Sequence, residues 1–316
     1  MAPYKVFIVG HEGTTGLRIH ERLSDRKDIE LLATADEDRK NVEAIKAVAK
    51  EADIVFLCLP DAASKEIMAA IGELPCKVID TSTAFRTAVD WAYGFPELGE
   101  KYKTSIATEK HIANPGCHAS GMIACIAPLV KAGFVPPDYP FTITSLTGYS
   151  GGGKKVIGQY ESDPKDYFLY APRQYGLGQQ HKHLPEVQHV CGLSEAPIFM
   201  PIVDDYYSGM EVTVGIHSRL CQKPISIDTV QQALEYFYKD STIITVAPFT
   251  DNSNTGMLHA NQLSNTDSMK IYVTGNDERI MVHAIFDNLG KGASGAAVQC
   301  MNIALGLPED TGLALD

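Results

Sequence analysis

Residues 4–16 decide the fold of the N-terminal part, and they read Tyr4-Lys5-Val6-Phe7-Ile8-Val9-Gly10-His11-Glu12-Gly13-Thr14-Thr15-Gly16. The run up to Val9 is mostly apolar, as in a buried strand, and the three glycines follow with GxxGxxG spacing. A Rossmann-type domain uses the same order of strand, glycine turn and helix to hold a dinucleotide pyrophosphate at a helix N-terminus. A simple strand-to-helix turn is the alternative, but the strand-turn-helix context favours nucleotide binding. We expect cofactor contacts from Gly10, Gly13, Thr14, Thr15 and Gly16.

Strands and helices alternate beyond this stretch, which predicts a doubly wound parallel sheet. The first helix runs to about Arg26, and a second is expected over residues 62–71. Further strands are expected at residues 30–35, 53–60 and 77–80 and near residues 105–107.

The residues after the second strand bear on the choice of cofactor. An acidic side chain there accepts from the ribose of NAD, whereas a basic one accommodates the 2′-phosphate of NADP. The chain has both, because Asp36-Glu37-Asp38 is followed by Arg39 and Lys40. We favour NADP, with Arg39 or Lys40 as the phosphate contact; the alternative is that both are solvated charges.

The pattern changes near Phe141, where polar and apolar residues alternate as in a half-exposed antiparallel strand. More strands are expected at 210–218, 269–274 and 280–286, with helices at 227–237 and from 288 to 305. The sequence therefore predicts an α/β protein with a Rossmann-type domain and a second, largely antiparallel α+β domain. We assign residues 1–116 and 287–316 to the first and 117–286 to the second.

Composition limits the classes of function. The 316 residues are 45% hydrophobic and 21% charged, with a net charge of −12, which disfavours nucleic acid or an acidic membrane surface as a partner. Seven scattered cysteines without a CxxC pair fit a reducing compartment and argue against a zinc ribbon. There is no signal-peptide pattern or long apolar run, so we expect a cytoplasmic protein.

Cys117 is the strongest candidate for chemistry. It follows Asn114-Pro115-Gly116 and precedes the apolar run 122–130, so its sulfur is expected at a helix N-terminus. Unpaired N–H groups there favour an anion and lower a thiol pKa, which makes a thiolate available at neutral pH. The alternative is a small buried cysteine without a chemical role.

Residues 181–186, His181-Lys182-His183-Leu184-Pro185-Glu186, form the richest titratable cluster. The two histidines could be a strand-borne metal pair with Glu186 as third ligand, but no fourth ligand is evident. One of them could instead be the acid/base partner of Cys117, oriented by Glu186. Two solvated surface histidines are the third possibility. We expect no metal site.

Two further stretches contain basic residues that could bind an anion. Gly151-Gly152-Gly153-Lys154-Lys155 exposes N–H groups and two lysines, which fits anion binding or a surface loop. Arg86 is the only basic residue of the loop 80–86, which leaves the end of a strand. Its planar guanidinium suits a bidentate phosphate or carboxylate contact, although a solvated arginine is the simpler explanation.

These motifs, together with Asn288-Leu289-Gly290-Lys291-Gly292, resemble the shorter form of N-acetyl-γ-glutamyl-phosphate reductase, of the semialdehyde dehydrogenase superfamily. The resemblance runs from end to end in the same motif order. It implies NADPH-dependent, phosphate-releasing reduction of an acyl phosphate to an aldehyde in arginine biosynthesis. A homo-oligomer, dimer or tetramer, is expected.

The resemblance also implies roles for particular residues. Cys117 is the nucleophile and His181 the acid/base group, with Tyr175 upstream of it where the family has a tyrosine. His118 departs from the family, which commonly has a tyrosine after the cysteine. The expected substrate-binding residues are Arg86, Lys154, His183 and Glu186, and further cofactor contacts are expected from Arg39, Pro60, Ser82, Gly151 and Asn288.

Three alternatives stay open. Aspartate-semialdehyde dehydrogenase shares the fold and the cysteine–histidine chemistry but acts on a substrate with a free amino group. A non-catalytic nucleotide sensor would bind NADPH without turnover. A cysteine hydrolase leaves the glycine turn of residues 10–16 unexplained.

Overall fold

The structure, a computed structural model, describes residues 2–249 and 256–316. The chain folds as two compact units. The first contains residues 1–116 and 293–313, and the second contains residues 117–292 and 314–316. The boundary expected from the sequence at 286/287 falls six residues earlier than the division at 292/293, directly after the last strand.

The first unit is built on a parallel sheet, and within the described residues this sheet has six strands. Its strands are β1 (Tyr4–Val9), β2 (Ile29–Leu32), β3 (Ile54–Leu57), β4 (Lys77–Asp80), β5 (Ala92–Tyr93) and β6 (His111–Ala113). Its helices are α1 (Thr14–Ser24), α2 (Val42–Ala49), α3 (Asp61–Ile71), α4 (Glu100–Thr108) and, late in the chain, α9 (Gly295–Ala304). The spatial order β2-β1-β3-β4-β6-β5 confirms the Rossmann-type prediction.

Alternate residues of the central strands are buried on opposite faces of this sheet. Val6 and Ile8 belong to a core that includes residues of α1 and α9. Phe7 and Val9 belong to a second core with residues of α2 and α3. Because both faces are covered, the strands read as continuous apolar runs, and this is why they are visible in the sequence.

The predicted strand near residues 105–107 is wrong, because these residues lie in α4. Tyr102, Ser105 and Ile106 turn inward with the spacing of a helix, and Ile106 is fully buried. The strand comes a few residues later, as β6, and pairs with β4 and β5.

The second unit contains a mixed sheet with the order β11-β12-β13-β10-β7-β9-β8. Its strands are β7 (Thr142–Gly148), β8 (Arg173–Gln174), β9 (Ile198–Asp204), β10 (Met210–His217), β11 (Ile244–Val246), β12 (Met269–Gly275) and β13 (Arg279–Phe286). Its helices are α5 (Cys117–Lys131), α6 (Gly153–Tyr160), α7 (Leu184–Cys191) and α8 (Ile227–Tyr238). Most neighbouring strands are antiparallel, as predicted, but β7–β9 and β11–β12 are parallel pairs.

Helix α5 is buried along most of its length although it contains a proline. Pro128 has no N–H to donate to the carbonyl of Ala124, four residues earlier. The hydroxyl of Tyr238 in α8 donates to that carbonyl at 2.9 Å instead. The proline is therefore tolerated, and α5 continues to Lys131.

Candidate functional site

The glycine turn of the first unit, residues 10–16, has no side chains at its three glycines, so a ligand can approach its backbone closely. Gly10 has φ +86°, and a Cβ there would lie 2.5 Å from the carbonyl oxygen of Cys58. A Cβ on Gly16 would overlap the carbonyl oxygen of Gly10, so α1 can approach the turn only with glycine at this position. The N-cap residue, Gly13, makes no side-chain capping bond to the first N–H groups of α1. These features fit the pyrophosphate of a dinucleotide, with Thr14 and Thr15 in the first turn of the helix.

A cleft of about 130 Å³ opens beside the turn. Among the described residues its lining includes Gly10, His11, Thr34 and Arg39, but not Asp36. The guanidinium of Arg39 forms an exposed ion pair with Glu12. The basic side chain therefore borders the cleft at the end of β2, where a ribose is expected.

Asp80, the last residue of β4, anchors the loop that follows. Its buried carboxylate accepts from the hydroxyl of Ser64 at 2.6 Å and from the backbone N–H of Ser82 at 3.0 Å. Burial raises its pKa, and the hydrogen bonds from Ser64 and Ser82 oppose this shift. The hydroxyl of Ser82 also donates to Asp80, so Ser82 has a structural partner in addition to the cofactor contact expected for it. Pro60, the other expected contact, is exposed at the N-cap of α3.

Arg86 is buried, with 8% of its surface exposed. Its Nε donates to the carbonyl oxygen of Asn114 at 2.9 Å and its Nη2 to that of Thr81 at 3.0 Å. The simple explanation of a solvated arginine is therefore wrong. The guanidinium links the 81–86 loop to the residue three positions before Cys117, and its role toward a substrate stays a prediction.

Cys117 is the first residue of α5 in the second unit, which confirms the predicted helix start. It is half-buried and is not part of a disulfide. A Cβ on Gly292 would lie 3.0 Å from the Cβ of Cys117, so the backbone around Gly292 packs directly against the cysteine. Cys117 therefore lies at the start of α5 with the backbone around Gly292 packed against its Cβ.

Five aromatic rings form a cluster near Cys117, which we call the ring cluster: His118, Tyr175, His181, His183 and Phe199. The His118 ring lies 5.4 Å from that of His181, 5.7 Å from His183 and 5.2 Å from Phe199. The rings of His181 and His183 are 4.8 Å apart, and those of Tyr175 and His181 are 6.0 Å apart. Burial raises the pKa of Tyr175, and the charge of Cys117 adds to this shift.

His118 is held by a hydroxyl on each side. Its Nδ1 lies 2.7 Å from the hydroxyl oxygen of Ser145, and its Nε2 lies 2.6 Å from that of Tyr175. Burial, followed by the nearby His181, lowers the pKa of His118 to about 3. The ring is therefore neutral at physiological pH.

The segment containing His181 and His183 is a turn that leads into α7, with Glu186 buried in the first turn of the helix. The backbone N–H of His183 donates to Nδ1 of His181 at 3.3 Å, so the proton of neutral His181 lies on Nε2. Burial, and then the charge of Lys182, lowers the pKa of His181. The pair is not strand-borne, and the described residues contain no group of three or more His, Cys, Asp or Glu placed to hold a metal.

The remaining predicted residues of the second unit lie around Asn288. Its side chain accepts from the N–H of Gly209 at 2.9 Å and donates to the hydroxyl of Ser150 at 3.0 Å, which fixes the turn beside Gly151. A Cβ on Gly151 would lie 3.4 Å from the Asn288 amide nitrogen. Lys154 is exposed in the first turn of α6, so the glycine stretch is a helical start rather than the surface loop considered above.

Both units match semialdehyde dehydrogenase domains. Residues 5–105 match the NAD-binding domain of semialdehyde dehydrogenases, and residues 117–288 match their dimerisation domain. The chain is 40% identical over 98% of its length to N-acetyl-γ-glutamyl-phosphate reductase 2 of Nostoc sp., covering 99% of that protein. It is 42% identical to the reductase of Burkholderia lata, with 97% of the chain and 98% of the relative covered. The chain belongs to the N-acetyl-γ-glutamyl-phosphate reductase family.

Solved structures support the fold of this family member. The chain superposes with a TM-score of 0.73 on aspartate semialdehyde dehydrogenase II of Vibrio cholerae, at 18% identity over 97% of this chain and 99% of that one. The enzyme from Francisella tularensis gives a TM-score of 0.70 at 14% identity, with 95% and 99% covered. At these identities the likeness concerns the fold alone. No helix in the described residues has the length and apolar character required to cross a membrane.

Two residues that contact His118, Ser145 and Phe199, were not predicted from the sequence. Ser145 occupies an inward position of β7, with Ile143 and Thr147 at the neighbouring inward positions. A polar residue on the buried face of a strand requires a hydrogen-bond partner, and this was the available signal. Phe199 carries no comparable signal, because an apolar residue on the buried face of a strand is ordinary.

Proposed function

We propose that this protein reduces N-acetyl-γ-glutamyl phosphate to N-acetylglutamate 5-semialdehyde, with NADPH as reductant and release of phosphate. The observation that carries the proposal is Cys117 at the N-terminus of α5, next to the ring cluster, in a chain 40% identical over 98% of its length to a reductase of that name. An acyl phosphate carries its own leaving group, and a thioester accepts hydride readily, so a cysteine nucleophile suits this reaction.

The steps follow from the chain's own groups. The Cys117 sulfur attacks the γ-acyl carbon, the bond to the phosphate oxygen breaks, and a thioester forms. NADPH, when bound, supplies a hydride to the thioester carbon. The carbon–sulfur bond then breaks, which releases the aldehyde and returns the thiolate.

His181 acts in these steps through Nε2. Its Nδ1 accepts from the His183 N–H, so Nε2 is the atom that holds the proton in the neutral ring. A donor at this atom stabilises the negative charge that develops on the acyl oxygen during both attack and reduction. We assign His183 and Glu186 to positioning this segment and, with Lys154 and Arg86, to substrate binding.

NADP is the proposed form of the nicotinamide cofactor. Arg39 borders the cleft at the end of β2, and Asp36 is not among the described lining residues. A guanidinium there favours a 2′-phosphate over a free ribose hydroxyl. The proposed contacts are Gly10, Gly13, Thr14, Thr15, Gly16, Arg39, Pro60, Ser82, Gly151 and Asn288.

We further propose a cytoplasmic homo-oligomer assembled through the second unit. None of the seven cysteines, all within the described residues, forms a disulfide, which fits a reducing compartment. Tyr167, Phe168 and Leu177 are each more than 70% exposed, which is unusual for large apolar side chains and typical of a contact surface. Light scattering after size exclusion should give a mass well above the 34.4 kDa of one chain; a monomer at all concentrations would contradict the assembly.

The decisive experiment is phosphate-dependent reduction of NADP by the purified protein. N-acetylglutamate semialdehyde and aspartate semialdehyde are offered in parallel, with NAD as the second cofactor. Turnover of the acetylated substrate alone is expected. Preference for aspartate semialdehyde would keep the mechanism and replace the substrate, and turnover of neither would support a nucleotide sensor.

A further inference from the structure

The His181 ring, which acts in the proposed reaction, is held mainly by the rings around it. Within residues 2–249 and 256–316, the structure gives its side chain one hydrogen bond, from the backbone N–H of His183 to Nδ1, and this bond is long at 3.3 Å. One such bond does not fix the plane of a ring, because the ring can rotate about it. The packing of neighbouring rings must therefore set the orientation.

Three rings of the ring cluster stand nearly perpendicular to that of His181. The His118 ring lies 5.4 Å away at 88°, the His183 ring 4.8 Å away at 81°, and the Phe199 ring 5.2 Å away at 74°. Edge-to-face pairs at these centroid distances are a favoured arrangement of aromatic rings. The orientation of His181 is therefore only as well defined as that of the rings beside it.

His118 is a neighbour whose own orientation is fixed by hydrogen bonds. A hydroxyl lies at each ring nitrogen, with Ser145 at 2.7 Å from Nδ1 and Tyr175 at 2.6 Å from Nε2. A neutral imidazole has one N–H and one bare nitrogen, and hydroxyls can donate or accept, so both contacts are satisfied together. Because the two bonds lie on opposite sides of a ring that is 3% exposed, they prevent its rotation.

The two hydroxyls are anchored at the same place in the sheet. Ser145 belongs to β7 and is paired in register with Pro201 of the parallel strand β9. The backbone N–H of Tyr175 donates to the carbonyl oxygen of Pro201 at 3.0 Å. Both supports of the His118 ring therefore rest on one position of the β7–β9 pair, which makes this ring a rigid neighbour for His181.

We propose that His118, held by Ser145 and Tyr175, is a positioning residue that fixes the His181 imidazole with Nδ1 toward the His183 N–H and the proton on Nε2. This deepens the proposed function, since it rests on His181 as the acid/base group. His118 is neutral at physiological pH, so it orients the neighbouring ring without exchanging a proton with it.

The first test locates the proton of His181 without substrate or NADPH. In full-length protein labelled with ¹⁵N-histidine, NMR distinguishes a protonated from a bare ring nitrogen, and His181→Asn identifies the signals of this residue among the ten histidines. At slightly alkaline pH the unmodified protein should carry the proton on Nε2. His118→Phe keeps a ring but loses both hydrogen bonds, so it should show a mixture of the two neutral forms of His181. The unmodified pattern in His118→Phe overturns the proposal.

The second test uses turnover. His118→Phe should lower kcat by about 10- to 100-fold with little change in KM, as expected when a catalytic group is slightly displaced. In the His181→Asn background the same substitution should lower kcat no further, because the group that it positions is already absent. Additive losses in the double variant would contradict the proposal.

His283→Phe is the matched control. His283 is also buried in the second unit and has a hydroxyl at each ring nitrogen, with Thr213 at 3.0 Å and Thr274 at 2.9 Å. The variant loses the same kind of bonds outside the ring cluster, so the proton of His181 and kcat should not change. Equal effects in His283→Phe would overturn the proposal, because they would arise from the loss of any buried imidazole.

If His118→Phe does not fold, Ser145→Ala replaces it. This variant keeps the His118 ring and removes one of its two bonds, so a smaller change in the same direction is expected, and an unchanged His181 pattern overturns the proposal. Absence of turnover with both semialdehydes would remove the proposed reaction and leave the NMR result readable. Normal turnover of the acetylated substrate with an unchanged pattern in the variant would remove only the role of His118.

Discussion

The glycine turn of the first unit and the ring cluster of the second are built in opposite ways. The turn is contained in the seven residues 10–16. It offers backbone N–H groups to a ligand, and its shape depends on the absence of a Cβ at its glycines. The ring cluster gathers side chains from α5, from the segments after β8 and before α7, and from β9. We therefore expect the glycine turn to be disturbed by any substitution that adds a side chain. The ring cluster should be disturbed by substitutions that remove a hydrogen bond or change the protonation of a ring.

Removal of the nucleophile should separate the two regions most sharply. Cys117→Ser should lower turnover by more than about 10⁴-fold, because a serine hydroxyl stays protonated at neutral pH and attacks poorly. NADPH affinity, measured by isothermal titration, should not change, since Cys117 is not among the proposed cofactor contacts. Undiminished turnover would place the nucleophile elsewhere.

The histidine pair provides the next largest effect. His181→Asn should lower kcat by ~10²–10⁴, the range for loss of a general acid–base group. His183→Asn is the comparison variant: it keeps the backbone N–H that contacts His181, so as a change in a substrate-binding residue it should raise KM and lower kcat less than His181→Asn does. Steady-state kinetics of both variants decide the assignment, and a larger loss in His183→Asn would reverse the two roles.

The same contrast explains what the sequence could predict. The buried strand β1 and the glycine spacing are local patterns, so the Rossmann-type unit and the start of α5 at Cys117 were predictable. The prediction of a strand near residue 106 was wrong because a single buried isoleucine fits the periodicity of a strand or of a helix. Only the partly buried neighbours Tyr102 and Ser105 show the helical spacing.

Side-chain partners were much less predictable than elements. Arg86 read as a lone loop arginine, yet it is buried on the carbonyls of Asn114 and Thr81, because a guanidinium can satisfy backbone acceptors across a loop. The bond between His118 and Tyr175 joins residues 57 positions apart and depends on sheet register, which no local pattern encodes. The resemblance to the family identified His181 as the acid/base candidate, whereas the hydrogen bond from the His183 N–H identified Nε2 as the atom that holds its proton.

An added methyl group should affect the glycine turn. Gly16→Ala should raise the KM for NADP by about 10-fold or more, since its Cβ overlaps the Gly10 carbonyl and the turn must shift away from the ligand. Gly158→Ala in α6 is the control: a Cβ there meets nothing within 4 Å, so KM should not change and stability should rise by roughly 0.5–1 kcal/mol. Equal KM values for Gly16→Ala and the unmodified protein would show that the turn does not bind the cofactor.

The smallest expected effect concerns the choice between the two dinucleotides. Arg39→Ala should lower the ratio of kcat/KM for NADP to that for NAD by about 10-fold, since one exposed charge-assisted contact to a 2′-phosphate is worth roughly 1–2 kcal/mol. Kinetics with NAD should change little, because the guanidinium has no phosphate to bind there. Lys40→Ala is the matched control: Lys40 is exposed and does not line the cleft in the described part of the chain. A larger change of the ratio in Lys40→Ala would transfer the phosphate contact to Lys40, and no change in either variant would mean that the glycine turn binds both dinucleotides without reading the 2′-position.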